Sequence, residues 1–260
     1  MLHGSRTHSF TSERRGFKAS STPTLLIPGW GGGTWSTDKM IQTFQNKKIA
    51  QKAMTVWVFP NGRTIIKGSL DQHQKNPLIQ LLYVWNYSAT YQPQTRQLTI
   101  VLKKLHNSYG VNKMNVIAHS YGGTEFMHAY IGSPSIQKMI DFRKIVLLGV
   151  PVDESFGTKT RYRLGLAKKS KDDNFKILEK EIKSVHTHHN DQIFNLMGSK
   201  DGERTDGSVP HIQSEMLRNL IKDHPNIQYH EHIYAHTSHP MLHQKSNIIN
   251  DVAHYLWSDD

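Results

Sequence analysis

The chain has 260 residues, no cysteine and a formal net charge of +11. That length suffices for one large α/β domain with its own core, and the missing thiol excludes disulfides, cysteine-ligated zinc and a cysteine nucleophile. The positive charge suits an acidic partner such as phosphate or anionic lipid, but no aromatic-basic motif or reading helix accompanies it, which argues against nucleic acid.

The first twenty residues, "MLHGSRTHSFTSERRGFKAS", scatter arginines and serines and lack the continuous apolar run of a secretory signal. Residues 1–22 are expected to be a flexible basic segment, and residues 23–260 a single domain. No stretch approaches the roughly 20 apolar residues that span a bilayer, which predicts a soluble protein, cytoplasmic by default.

"TPTLLIPGW" opens the domain with an apolar strand, Thr24 to Ile27, running into a glycine-rich turn. "MTVWVFPNGRTIIKGSL" reads as two β-type runs joined at Asn61-Gly62, a pair that tolerates positive φ and favours a tight hairpin. "NPLIQLLYVWN" is a continuous apolar run, as in a parallel strand covered on both faces. Leu98, Val101, Leu102, Leu105 and Tyr109 then follow at helical spacing.

The alternation continues with a strand from Met114 to Ala118, a helix from about Gly123 to Ile131, and strands at Lys144 to Leu148 and Ile193 to Met197. A helix from Ile212 to Ile221, a strand near Ile227 to Tyr234 and a helix around Ile248 to Trp257 close the chain. Such alternation predicts a mostly parallel sheet with helices on both faces and a site at the carboxyl ends of the strands. Residues 152 to 191 are too long for an ordinary connection and are read as a helical cap over that site. Their Lys159, Arg161, Arg163, Lys168, Lys169 and Lys171 fit a solvated face, or, on a sharper reading, peripheral contact with an anionic membrane surface or substrate.

Ala118-His119-Ser120-Tyr121-Gly122 fits a nucleophile elbow, in which small residues flank the serine because the turn leaves no room for bulk. The match falls where an apolar strand ends and a helix begins, so Ser120 is the candidate nucleophile. An oxyanion hole needs backbone N–H donors; "PGWGGG", residues 28 to 33, suggests those of Trp30 and Tyr121. A phosphate loop is excluded, since no Gly-Lys-Ser/Thr follows.

The acid belongs after a late strand, where "NLMGSKDGERTDGSVP" offers Asp201 and Asp206. Asp206 is preferred, because its segment leads straight into the next element while Asp201 opens a polar excursion. The base belongs near the end, where His236, His239 and His243 fall on a loop ahead of the last helix. His230 and His232 lie inside the preceding strand and share a face with Tyr234. No His-Glu-x-x-His pattern supports a zinc site, although His186, His188 and His189 cluster, so neither metal nor other cofactor is expected.

With these residues in the order Ser, Asp, His, the chain resembles the α/β-hydrolase superfamily. "LLIPGWGGGTWS", "NPLIQLLYVWN", "AHSYGG", "TDGSVP" and "HPMLH" resemble, more narrowly, a family of lipase-like hydrolases from Gram-positive bacteria. The resemblance implies the α/β-hydrolase fold with an inserted hairpin, His239 as the base with His243 its neighbour, and, because many members are exported, a cell-surface or secreted location. Two departures are Ala118 for the usual glycine and Pro240 for the serine of a His-Ser-x-Leu-His ending.

The expected activity is cleavage of carboxylic acyl esters, from small molecules or lipids. Thioesterase, acyltransferase or amidase chemistry on the same residues is the alternative within enzymes, and a catalytically silent binding protein of the same fold is the alternative outside them. The sequence leaves the oligomeric state open.

Overall fold

The computed structural model describes residues 16–154, 170–185, 187 and 190–258. Its elements are, in chain order, β1 (Thr24–Ile27), α1 (Trp35–Asn46), β2 (Gln51–Val58), β3 (Thr64–Gly68) and β4 (Pro77–Tyr83). There follow α2 (Gln92–Tyr109), β5 (Lys113–His119), α3 (Tyr121–Gly132), α4 (Pro134–Met139), β6 (Asp141–Leu148) and α5 (Asp173–Glu181). The last are β7 (Asp191–Ser199), α6 (His211–Ile221), β8 (Ile227–Ala235) and α7 (Ser246–Trp257).

The eight strands form one sheet in the order β3-β2-β4-β1-β5-β6-β7-β8. Every pairing is parallel except β2 with β3. Side chains alternate between faces in the strands. Leu25 and Ile27 of β1 and Val116 and Ala118 of β5 therefore join the helices α2, α3, α5 and α6 in one core. Leu26 and Ile117 join α1 and α7 in the other. Both faces are covered, which is why the central strands read as unbroken apolar runs.

The hairpin stands where the sequence placed it, its turn built around Asn61-Gly62. Phe59 and Arg63 close it, the Phe59 N–H donating to the Arg63 carbonyl at 2.9 Å, and only Gly62 takes a positive φ, +83°. The loop is thus Pro60-Asn61-Gly62, the three-residue class with glycine in the left-handed region. Helices α1 and α4 were not anticipated. Packing anchors α1, whose Met40, Ile41 and Phe44 are buried.

The packed chain reaches back to Phe17, which sits against the α7 face of the core. The Lys18 N–H donates to the Trp257 carbonyl at 2.8 Å, and the Asn76 side chain exchanges bonds with Ser20 and Lys18. The cap expected at about 152–191 falls in part outside the described residues, at 155–169, 186, 188 and 189, which include Lys159, Arg161, Arg163, Lys168, Lys169 and His186, His188 and His189. Its described helix, α5, buries Phe175 and Leu178 in the core beside α3. Among the described residues, no helix is long and apolar enough to cross a membrane.

Candidate active site

Ser120 follows β5 at the centre of the sheet and precedes α3, with φ +54° and ψ −133°. For a residue with a Cβ this conformation costs about 1–3 kcal/mol. Two bonds hold it: the Ser120 N–H donates to the Leu148 carbonyl at 2.9 Å, and the Ser120 carbonyl accepts from Gly123 N–H at 2.9 Å. The turn after β1 presses on the elbow so closely that a Cβ at Gly122 would lie 2.2 Å from the Pro28 carbonyl oxygen. Glycine is required there by space, whatever its φ.

The β7 and β8 loops bring a carboxylate and an imidazole to this serine. His239 Nδ1 lies 2.6 Å from Asp206 Oδ2, and His239 Nε2 lies 2.8 Å from Ser120 Oγ. A carboxylate can only accept, so Nδ1 carries the proton donated to Asp206 and Nε2 is left to accept from the serine hydroxyl. Asp206 is 2% exposed. Its other oxygen accepts from the Ser208 and Val209 amides at 2.9 and 2.7 Å, and the His239 N–H donates to the Asp206 carbonyl at 2.9 Å. These bonds fix the carboxylate from three sides.

The other candidates stand elsewhere. Asp201 is exposed in a turn with φ +52°, and His236 is exposed with φ +50°, its carbonyl accepting from Lys245 Nζ. His230 and His232 face solvent on β8. His243 is buried beside the site, but neither ring nitrogen has a hydrogen-bond partner among the described residues.

His119 lies between two of these rings, its centroid 4.5 Å from that of His239 and 4.5 Å from that of His243. Burial depresses the His119 pKa well below the ordinary value, with smaller contributions from His239 and His243. Burial, and then His239, pushes His243 down to about 4. Two neutral imidazoles therefore back the one that reaches the serine.

A Cβ at Gly29, the residue before Trp30, would lie 2.7 Å from Ser120 Cβ, and Tyr121 follows Ser120 in the chain. The Trp30 N–H has no acceptor among the described residues, whereas Gly31 N–H donates to the Asn86 carbonyl and Gly32 N–H to the Gly29 carbonyl. The Tyr121 N–H is the first of α3 and has no carbonyl one turn behind it. Asn86 was not anticipated. Its side-chain amide donates to the carbonyls of Gly29 at 2.8 Å and Gly32 at 3.1 Å, clamping the turn that carries Trp30. The sequence signal was a polar residue directly after an apolar strand, which says nothing about what it grips. No group of three or more His, Asp or Glu side chains suited to a metal ion occurs among the described residues.

Residues 11–259 match the family described as alpha/beta hydrolase of unknown function (DUF915). Among solved structures, a Listeria innocua gene product is 24% identical, with a TM-score of 0.77, over 90% of this chain and 93% of its own. A Lactobacillus plantarum protein described as a cell surface hydrolase is 17% identical, with a TM-score of 0.71, over 90% and 91%. The mature Bacillus licheniformis lipase BlEst2 is 14% identical, with a TM-score of 0.52, over 96% of both chains. At these identities the likeness is one of fold. No curated protein matches the sequence. The family match spans nearly the whole chain, so the chain belongs to this alpha/beta hydrolase family, and its sheet and helices form the alpha/beta hydrolase fold.

Proposed function

From that membership, we propose that the chain is a serine hydrolase of carboxylic acyl esters, with Ser120 as nucleophile, His239 as base and Asp206 as the acid that orients it. The observation that carries this reading is the pair of bonds from His239, 2.8 Å to Ser120 Oγ and 2.6 Å to Asp206 Oδ2. The Ser120 proton passes to His239 Nε2 as Oγ bonds the acyl carbon, and the carbonyl oxygen becomes an oxyanion held by the Trp30 and Tyr121 amides. Collapse expels the alkoxide, which takes the proton from His239, and leaves an acyl-serine. Water gives a proton to the same imidazole as it attacks the acyl carbon, and when the Oγ–acyl bond breaks the imidazolium returns that proton to Ser120 Oγ, releasing the acid and the free serine.

Three fixed N–H donors face the Asp206 oxygens, and the carboxylate stabilises the imidazolium as that forms. The test is labelling by a fluorophosphonate and turnover of nitrophenyl esters of increasing chain length by wild type and Ser120→Ala. The wild type is expected to label and turn over, and the variant to do neither. Equal labelling and turnover in both overturn the assignment. Matched thioester and amide substrates separate esterase activity from other acyl transfers.

A further inference from the structure

The carboxyl edge of the sheet carries an unusual concentration of exposed apolar side chains. Ten large apolar residues are exposed among the described residues, and six of them, Trp30, Trp35, Val84, Trp85, Tyr87 and Met241, follow β1, β4 or β8 at that edge. The other four, Ile65, Ile100, Ile177 and Ile233, are spread over β3, α2, α5 and β8. In the sheet β4 and β1 are the two successive strands on one side of β5, so the first five residues of the rim stand on that side of the strand that leads into Ser120. Met241 completes it two residues beyond His239. Trp30, Trp35, Trp85 and Tyr87 are each 54–60% exposed.

These rings are held in place. Trp30 Nε1–H donates to the Ser88 carbonyl at 3.1 Å. Tyr87 meets Trp30 at 5.4 Å and 88°, and Trp85 at 5.4 Å and 67°. Trp35 leans on His243, centroids 6.0 Å apart. A wall of this extent on the outside of a protein marks a surface that meets an apolar partner.

We propose that this rim docks the protein on an anionic phospholipid surface, and that the esters brought to Ser120 are acyl lipids drawn from it; this second part rests on the serine-hydrolase reading above. Three observations select that occupant. Indole and phenol rings with one apolar body and one polar tip suit the boundary between headgroups and acyl chains. The rings meet edge-on, and with the exposed aliphatic Val84 and Met241 they suit acyl chains better than the flat coplanar platform on which a sugar stacks. The chain's +11 net charge is complementary to anionic headgroups.

The experiment uses the full chain carrying Ser120→Ala, so that docking is read without hydrolysis. Three of the five tryptophans lie on the rim, so their emission reports its burial. On phosphatidylglycerol–phosphatidylcholine vesicles the protein is expected to co-sediment and its emission to shift to the blue. Pure phosphatidylcholine should bind it more weakly, and added salt should weaken the mixed-vesicle binding. Adding Trp85→Ala and Tyr87→Ala should lower vesicle affinity by about tenfold or more, with thermal unfolding confirming an intact fold.

Binding unaffected by these two substitutions, or no binding to either vesicle, overturns the proposal. So does emission already blue before lipid is added and unchanged after it, the result expected of a rim covered by another part of the chain or a second copy. A blue shift with soluble polysaccharide and none with vesicles overturns it in favour of a sugar partner. Turnover of soluble short-chain nitrophenyl esters by the wild type is measured separately: its failure removes the hydrolase reading and leaves the vesicle result standing, and the reverse also holds.

Discussion

The imidazole of His119 packs 4.5 Å from that of His239, and its Nε2 lies 3.3 Å from the His239 carbonyl oxygen. The residue before the proposed nucleophile therefore touches both ring and backbone of the proposed base. Its Nε2 must be the protonated nitrogen if it donates to that carbonyl.

Replacing His119 by leucine should free the His239 ring to shift, lowering kcat between about ten- and a hundredfold while KM changes little. His119→Gln keeps a donor near the carbonyl and should recover part of the loss. Steady-state kinetics of the two variants decide it: equal kcat in wild type and a folded His119→Leu would reduce the contact to packing.

Asn86 should control the turn that bears the Trp30 amide. In Asn86→Leu the buried carbonyls of Gly29 and Gly32 lose their side-chain donor, at a cost of about 1–3 kcal/mol in stability. Acylation should slow by about ten- to a hundredfold as the proposed oxyanion donor loosens. Urea unfolding and single-turnover acylation measure the two effects, and lost stability with normal acylation would make the clamp purely structural.

The acid and base assignments separate sharply by substitution. Asp206→Asn should lower kcat by about 10³- to 10⁴-fold, since the amide can hold His239 in the wrong tautomer. Asp201→Asn and His236→Ala, at exposed turns, should leave turnover near wild type, while His239→Ala should nearly abolish it. Nitrophenyl-ester turnover of the four variants reads the result. Activity retained in His239→Ala would send the search for a base to His243.

His243 should make the fold sensitive to acid. A solvated histidine in the unfolded chain protonates near pH 6.5, whereas burial holds the folded one at about 4. Between these values the unfolded chain binds a proton that the folded chain does not, so stability falls as pH drops through that window. The loss is about 3 kcal/mol in all and levels off below pH 4. Urea titrations at pH 7 and pH 4 should show wild type losing about that much more than His243→Leu. Equal losses in both proteins would place the acid sensitivity elsewhere, in His119 or His128, whose pKa values burial also depresses.

The sequence by itself determined the sheet, the elbow and the order of the parts. Unbroken apolar runs at β1, β4 and β5 announce strands covered on both faces, and a serine between small residues at a strand-to-helix junction has few other conformations to adopt. These features are local, set by periodicity and by where a Cβ fits. Local reasoning could also demote Asp201, because a polar excursion reads as solvent. Between His236, His239 and His243 it had no physical ground to choose: all three share one loop, and the choice implied by resemblance is not a geometric one. Tertiary structure alone brings His239 within 2.8 Å of Ser120, 119 positions away in the chain. The same holds for Asn86 gripping Gly29, for His119 standing between two rings, and for tryptophans from two separate loops forming one rim. Each depends on which loops meet at the sheet's carboxyl edge, and only the strand order β4-β1-β5-β6-β7-β8 sets that.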